Sequence, residues 1–263
     1  MLYDNKRVKN MLQAERRAYI IEYMKKEGKA VIEDLAKDID VSPMTIRRDL
    51  DYLEQKDKII RTHGGAIPVE SLHEEISYKH KKEIQIEEKI KIAEYASRLI
   101  KEGQTIILDA GTTTMEIAKR IRDFKNINII TTDLLTAAYL SKSKDIKVYC
   151  TGGIVQNEIG ACFGTKAEEF LSDIYADIAF IGASTIDLYR GITSPTMEKA
   201  IIKKKMIKAS DKTILVADST KFGKKGFSKV CDLKELDLIV TDNGLDQNLT
   251  REIKKQEINI HIV

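Results

Sequence analysis

No apolar run in the chain approaches the roughly 20 residues that a helix needs to cross a bilayer. The first residues, MLYDNKRVKNMLQAERR, are basic but have no apolar core, so they do not read as a secretory signal, and the cytoplasm is the expected location. Cysteine is scarce. Cys150, Cys162 and Cys231 are odd in number and widely spaced, which excludes a disulfide framework and a zinc-ligand pattern. Each falls in an apolar or strand-like stretch and reads as a small buried hydrophobe. No Gly-x-Gly-x-x-Gly follows a strand-like run, which argues against a dinucleotide; neither cofactor nor metal is expected. Excess charge is also lacking. The net charge is +3 over 263 residues, and the first 67 residues hold 14 Lys/Arg against 12 Asp/Glu. That excludes a bulk phosphate binder and requires any DNA-facing cations to be focused on one face. Internal repeats and low-complexity segments are absent. What remains is an ordinary globular composition, 32% charged and 43% hydrophobic, on a chain long enough for two domains.

Residues 42–65 carry the sharpest pattern. Ser42 suits a helix N-cap and Pro43 the first helical position, where its missing donor is not needed. Ile46, Leu50 and Leu53 follow at i, i+4, i+7 and share one buried face. Thr45, Arg47 and Arg48 point elsewhere, as a major-groove reader requires. The preceding stretch has Ile32, Leu35, Ala36 and Ile39 at helical spacing, and only Asp40-Val41 separates the two helices. A third helix spans Glu15 to Lys26, with Ile20, Ile21 and Met24 inward and Gly28 at its end. Lys58 to Ile67 reads as a β-ribbon with a Gly-Gly tip, placing Arg61 and His63 against phosphates. The order is that of a winged helix-turn-helix. The plainer alternative is a helical hairpin in which Arg47 and Asp51 form a surface ion pair. Lys6, Arg7, Lys9, Arg16 and Arg17 are further candidates for the basic face.

The pattern changes after Ile67. Residues 68–85 are polar and read as a linker entering a helix, and residues 86–100 as an amphipathic helix with Ile90, Ala93, Ala96, Leu99 and Ile100 inward, closed by Gly103. Strand-like runs follow at 105–109, 127–131, 146–150, 178–181, 213–217, 238–241 and 258–263. Helical runs lie between several of them, at 114–122, 134–141, 166–172, 197–209 and 247–255. Alternation of this kind implies a mostly parallel sheet with helices on both faces. Ligands bind at the carboxyl ends of such strands. There the sequence places Asp109–Thr114, Thr131–Asp133, Thr151–Gly153, Gly182–Asp187, Asp218–Lys221 and Thr241–Gly244. Strand, glycine, three threonines and helix is a geometry that aims backbone N–H groups at an anion, and Lys221 offers a counter-charge. The alternative is that Thr112 merely caps the helix and Gly111 allows the turn.

Val41-Ser-Pro-Met-Thr-Ile-Arg-Arg-Asp-Leu50, followed by Arg61-Thr-His-Gly-Gly-Ala66, resembles the signature of DeoR-type bacterial transcriptional repressors. Residues 105–122, Thr151–Gly153 and Asp218–Gly223 resemble successive parts of their sensor domain. The resemblance implies a winged-helix domain on operator DNA and a sensor domain similar to ribose-5-phosphate isomerase that holds a phosphorylated sugar. It also implies a homodimer or homotetramer that controls a carbohydrate operon and is released by the sugar. The expected domains are 1–67, a linker 68–85, and 86–263. Ser42, Thr45, Arg47, Arg48, Arg61 and His63 are expected on DNA. Asp109, Gly111, Thr112, Thr113, Thr114, Thr132, Asp133, Gly152, Gly153, Asp187, Arg190, Glu198 and Lys221 are expected on the effector. One departure is Asp57-Lys58, where the family usually has glycine before the wing strand. The rival is an isomerase with an accessory domain. Asp187 would match one of its acids and Glu198 its base, but Ser184 stands where the other acid would be and Arg190 near its lysine. The expectation is therefore binding without turnover.

Overall fold

The computed structural model describes residues 11–27, 29–56, 58–62, 64–68, 78–157 and 159–263. Lys6, Arg7, Lys9, Gly28, Asp57 and His63 lie outside them. The chain's contacts divide it into two units, 1–71 and 72–263. No helix among the described residues is long and apolar enough to cross a membrane.

The first unit contains α1 (Gln13–Glu27), β1 (Ala30–Val31), α2 (Ile32–Ile39), α3 (Pro43–Gln55), β2 (Ile59–Thr62) and β3 (Gly65–Pro68). Ile20, Met24, Leu35, Ile39, Ile46 and Leu50 fill its core at 1% exposure or less, while Ile21 packs only at the margin. Asp40 ends α2 in the left-handed region (φ 59°) and donates its N–H to the Ala36 carbonyl, so α3 begins within three residues. The ribbon is a three-stranded antiparallel sheet in the order β1-β3-β2. Two-residue β1, which no periodicity could reveal, ties the wing to the helices.

The second unit opens with α4 (Tyr78–Glu83) and α5 (Ile86–Ser97), then β4 (Thr105–Leu108), α6 (Thr112–Ile121), β5 (Ile127–Thr131), α7 (Leu134–Leu140) and β6 (Ile146–Cys150). A small hairpin, β7 (Ile154–Val155) and β8 (Cys162–Phe163), leads to α8 (Thr165–Ser172) and β9 (Ala176–Ile181). After β10 (Thr185–Asp187) and β11 (Gly191–Ser194) come α9 (Met197–Lys208), β12 (Ser210–Val216), β13 (Ser228–Cys231), β14 (Leu238–Thr241), α10 (Gln247–Lys255) and β15 (Ile260–Ile262). Seven strands form one sheet, β15-β14-β12-β9-β4-β5-β6, with every neighbouring pair parallel. Side chains alternate across it: Ile106 and Leu108 join the core with α5 and α6, while Ile107 joins the core with α8 and α9. The chain leaves β4 toward β5 and β6, then returns to β9 on the other side. The strand order therefore reverses between β4 and β9, which opens a crevice beyond their carboxyl ends. β10, β11 and β13 form a separate antiparallel sheet that the sequence reading did not contain.

Candidate functional site

In the first unit α3 is fixed by its back. The Ser42 hydroxyl accepts the Thr45 N–H at 3.2 Å and lies 2.9 Å from the Thr45 hydroxyl, and Pro43 takes the first turn. Ile46, Leu50 and Leu53 are buried, which leaves Arg47 and Arg48 exposed, without a partner among the described residues. Asp51, the alternative partner for Arg47, instead faces Arg61 of β2 at 3.7 Å. Asp49 is fully buried. Arg16 and Arg17 donate to its two oxygens at 2.5 and 2.9 Å, and the Arg17 guanidinium sits 3.5 Å over the Tyr52 ring. This corrects the expectation that Arg16 and Arg17 belong to the basic face. They clamp α1 to α3, because a buried carboxylate needs charged partners.

In the second unit Asp109 leaves β4 at the switch point. Its carboxylate accepts the N–H groups of Ala110 and Gly182, both at 2.9 Å, and the Lys203 ammonium. Lys203, from α9, also donates to the Gly182 carbonyl at 2.8 Å. The Thr114 hydroxyl donates to the carbonyls of Asp109 (2.7 Å) and Gly111 (3.0 Å), so this threonine holds the loop. Gly111 precedes α6 with no side-chain cap, which leaves the first-turn N–H groups to an outside acceptor at the positive end of the helix dipole. Thr112 and Thr113 lie there, each 8% exposed.

Beside them Asp133 caps α7, accepting the Leu135 N–H and the Thr136 hydroxyl, each at 2.9 Å. Burial raises its pKa and the charge of Asp109 adds to the rise, against those hydrogen bonds. The Thr132 carbonyl accepts the Cys162 N–H at 2.7 Å. Gly152 and Gly153 have φ of +67° and +104°, and a Cβ on Gly153 would meet the Phe163 carbonyl oxygen at 2.5 Å. Lys221 follows β12, its ammonium 4.0 Å from Asp218. Asp187 lies in β10, where its carboxylate accepts the N–H groups of Tyr189 and Arg190 at 2.9 Å. Arg190 and Glu198 are exposed. No hydrogen bond or ion pair among the described residues joins these three to the Asp109 cluster.

Sequence reasoning missed Lys203, Lys89 and Tyr78. Lys89, 2% exposed, donates to the carbonyls of Lys81 and of Ile84 (2.6 Å). Burial lowers its pKa to about 8; Lys221 adds to the fall, while Asp218 and Glu116 oppose it. Burial pushes the Tyr78 phenol up to about 12, with Asp133 and Glu116 contributing. Lys89 was legible: 89, 92, 93 and 96 stand at i, i+3, i+4, i+7 on the buried face of α5, which keeps Ala93 and Ala96 of the expected stripe and has Lys89 buried beside the half-buried Ile90. Cys162 and Cys231 are buried as expected, but Cys150 is only half-buried and hydrogen-bonds the Cys162 thiol. A hollow of about 680 Å³ lies elsewhere, beside the stacked rings of Tyr95 and His261.

Residues 16–71 match the DeoR-like helix-turn-helix domain, and residues 84–243 match the DeoR C terminal sensor domain. An uncharacterized HTH-type transcriptional regulator of Haemophilus influenzae is 37% identical over 97% of this chain and 99% of its own. The HTH-type transcriptional repressor GlcR of Bacillus subtilis is 36% identical over 88% of this chain and 89% of its own. Among solved structures, ribose 5 phosphate isomerase A from Neisseria gonorrhoeae aligns over 51% of this chain and 52% of its own, with a TM-score of 0.38 and 18% identity. With both domain types matched in order and relatives alike over nearly the full length, the chain belongs to the DeoR family of HTH-type transcriptional regulators.

Proposed function

We propose that the protein represses a carbohydrate uptake or catabolism operon and leaves its operator when a phosphorylated sugar fills the crevice between β4 and β9. Residues 1–67 are the DNA reader, 68–85 the linker and 86–263 the sensor. Arg47 and Arg48 with Thr45 read the major groove, Ser42 fixes the helix start, and Arg61 and His63 hold phosphates. In the sensor, the first-turn N–H groups of α6 and Lys221 take the phosphate, Thr132, Asp133, Gly152 and Gly153 line the crevice, and Asp187, Arg190 and Glu198 meet sugar hydroxyls. The observation that carries the reading is the start of α6. Its donors are uncapped, and the one carboxylate in the same loop, Asp109, is neutralised by Lys203. GlcR is by name a repressor. Two copies pair on a two-fold operator, and ligand binding re-orients them so that the paired α3 helices no longer match the half-sites.

A thermal-shift panel of phosphorylated sugars tests the sensor half, since specific binding raises the melting temperature by mass action. One sugar phosphate is expected to do so and to release the protein from DNA upstream of its operon in retardation gels. A panel without a hit sinks the reading, and Glu198-dependent turnover of an aldose or ketose phosphate would favour the isomerase rival.

A further inference from the structure

One buried cation, Lys89 of α5, is not accounted for by the motif residues. An ammonium carries three donors. Lys89 gives two of them to the carbonyls of Lys81 and Ile84, at the end of α4 and just beyond it, and no third acceptor stands among the described residues. A donor left open among the described residues, at 2% exposure, is costly unless something fills it. The charged groups around it are Asp218 and Lys221 from the turn after β12, Glu116 from α6, and Glu88 from its own helix. Two of these elements, the Lys221 turn and α6, are those assigned above to the phosphate. On its other side, α4 lies within the linker span 68–85 and is the first described element of the unit that begins at residue 72.

We propose that Lys89 is the residue that couples the sensor crevice to the joining segment. Its third N–H takes the anionic group of the effector while the other two hold the end of α4 by the carbonyls of Lys81 and Ile84. The inference rests on the crevice being an anion site. Occupancy completes the ammonium's shell with a charge-assisted bond and tightens α4; an empty crevice leaves α4 on two bonds. The Tyr78 phenol, at the start of α4, feels the charges of Asp133 and Glu116.

The test is backbone hydrogen exchange over residues 78–89 in the full chain, with inorganic phosphate as probe, for wild type, Lys89→Met and Lys89→Gln. Melting shifts are read alongside. In wild type, phosphate is expected to raise the melting temperature and slow exchange across 78–85 several-fold. Lys89→Met is expected to shift less and to leave exchange unchanged, and Lys89→Gln, which keeps a donor, to retain part of the slowing. Equal slowing in all three proteins overturns the proposal. A melting shift in wild type without slowing overturns the coupling alone. No shift in wild type overturns the anion-site reading beneath it.

Discussion

Arg47, Arg48 and Asp49 are neighbours in the chain with opposite fates. The arginines are exposed, and the aspartate is fully buried between Arg16 and Arg17. Replacing both Arg47 and Arg48 with alanine is expected to leave the melting temperature within a degree or two, because neither has a partner to lose among the described residues. Operator affinity is expected to fall by about 1–3 kcal/mol per lost base contact, which retardation gels would show as at least a tenfold loss. Asp49→Ala acts the other way round. It strands two guanidinium groups in a largely dry site, and breaking such a pair costs on the order of 3 kcal/mol, readable in urea unfolding. Lys89 makes a prediction of its own. Its proton leaves near pH 8 in the folded chain and near about 10.4 in the unfolded one. Between those values the unfolded chain binds more protons, so its contribution to stability rises with pH; below pH 8 the burial cost is constant. Wild type should gain stability relative to Lys89→Met as the pH climbs through this window. Asp49, Lys89 and Lys203 share one signature. Each sits on an apolar stripe: 46-49-50-53, 89-92-93-96 and 200-203-206. Spacing alone marks such a position as inward; what it does not supply is the partner from a distant element.

Gly65 sets the wing against the helices. A Cβ there would lie 2.0 Å from the Ala30 carbonyl oxygen, and backbone cannot swing aside as a side chain can. Gly65→Ala should separate β1 from β3, cost about 1–3 kcal/mol, and lower operator affinity through the displaced Arg61. Gly64→Ala is the useful contrast: its Cβ meets open space, but its φ of +84° strains any other residue. The elements that could be read in advance are those with a long enough period. The strands at 127–131, 146–150 and 238–241 and the helix at 247–255 have the bounds expected of them, since Ile/Val runs and caps define both ends. β1, β10, β11 and β13 have two to four residues each, too few for alternation to register, and β10, β11 and β13 exist only because they pair with one another. The crevice was legible for a different reason. Polar residues after successive parallel strands must converge, whatever the details of each loop, but Asp187, read from such a strand end, and Arg190 and Glu198, placed by kinship, have no hydrogen bond or ion pair to the Asp109 cluster among the described residues.

At the scale of the whole molecule, the DNA-binding and sensor domains fall in separate units on one chain, and any coupling between them must be reciprocal. If a sugar phosphate weakens operator binding by some factor, the operator must weaken sugar-phosphate binding by the same factor. Coupling in such systems is about 1–3 kcal/mol, or roughly 5–150-fold. Calorimetric titration of the panel's sugar phosphate into the free protein and into its operator complex should therefore give dissociation constants that differ by at least fivefold, with the complex the weaker. Equal constants would mean that the crevice senses its ligand without informing α3. The double variant at Arg47 and Arg48 supplies the control. With the reader disabled, added operator no longer shifts the sugar-phosphate constant, while the constant measured in the free protein stays at its wild-type value, because the crevice itself is untouched.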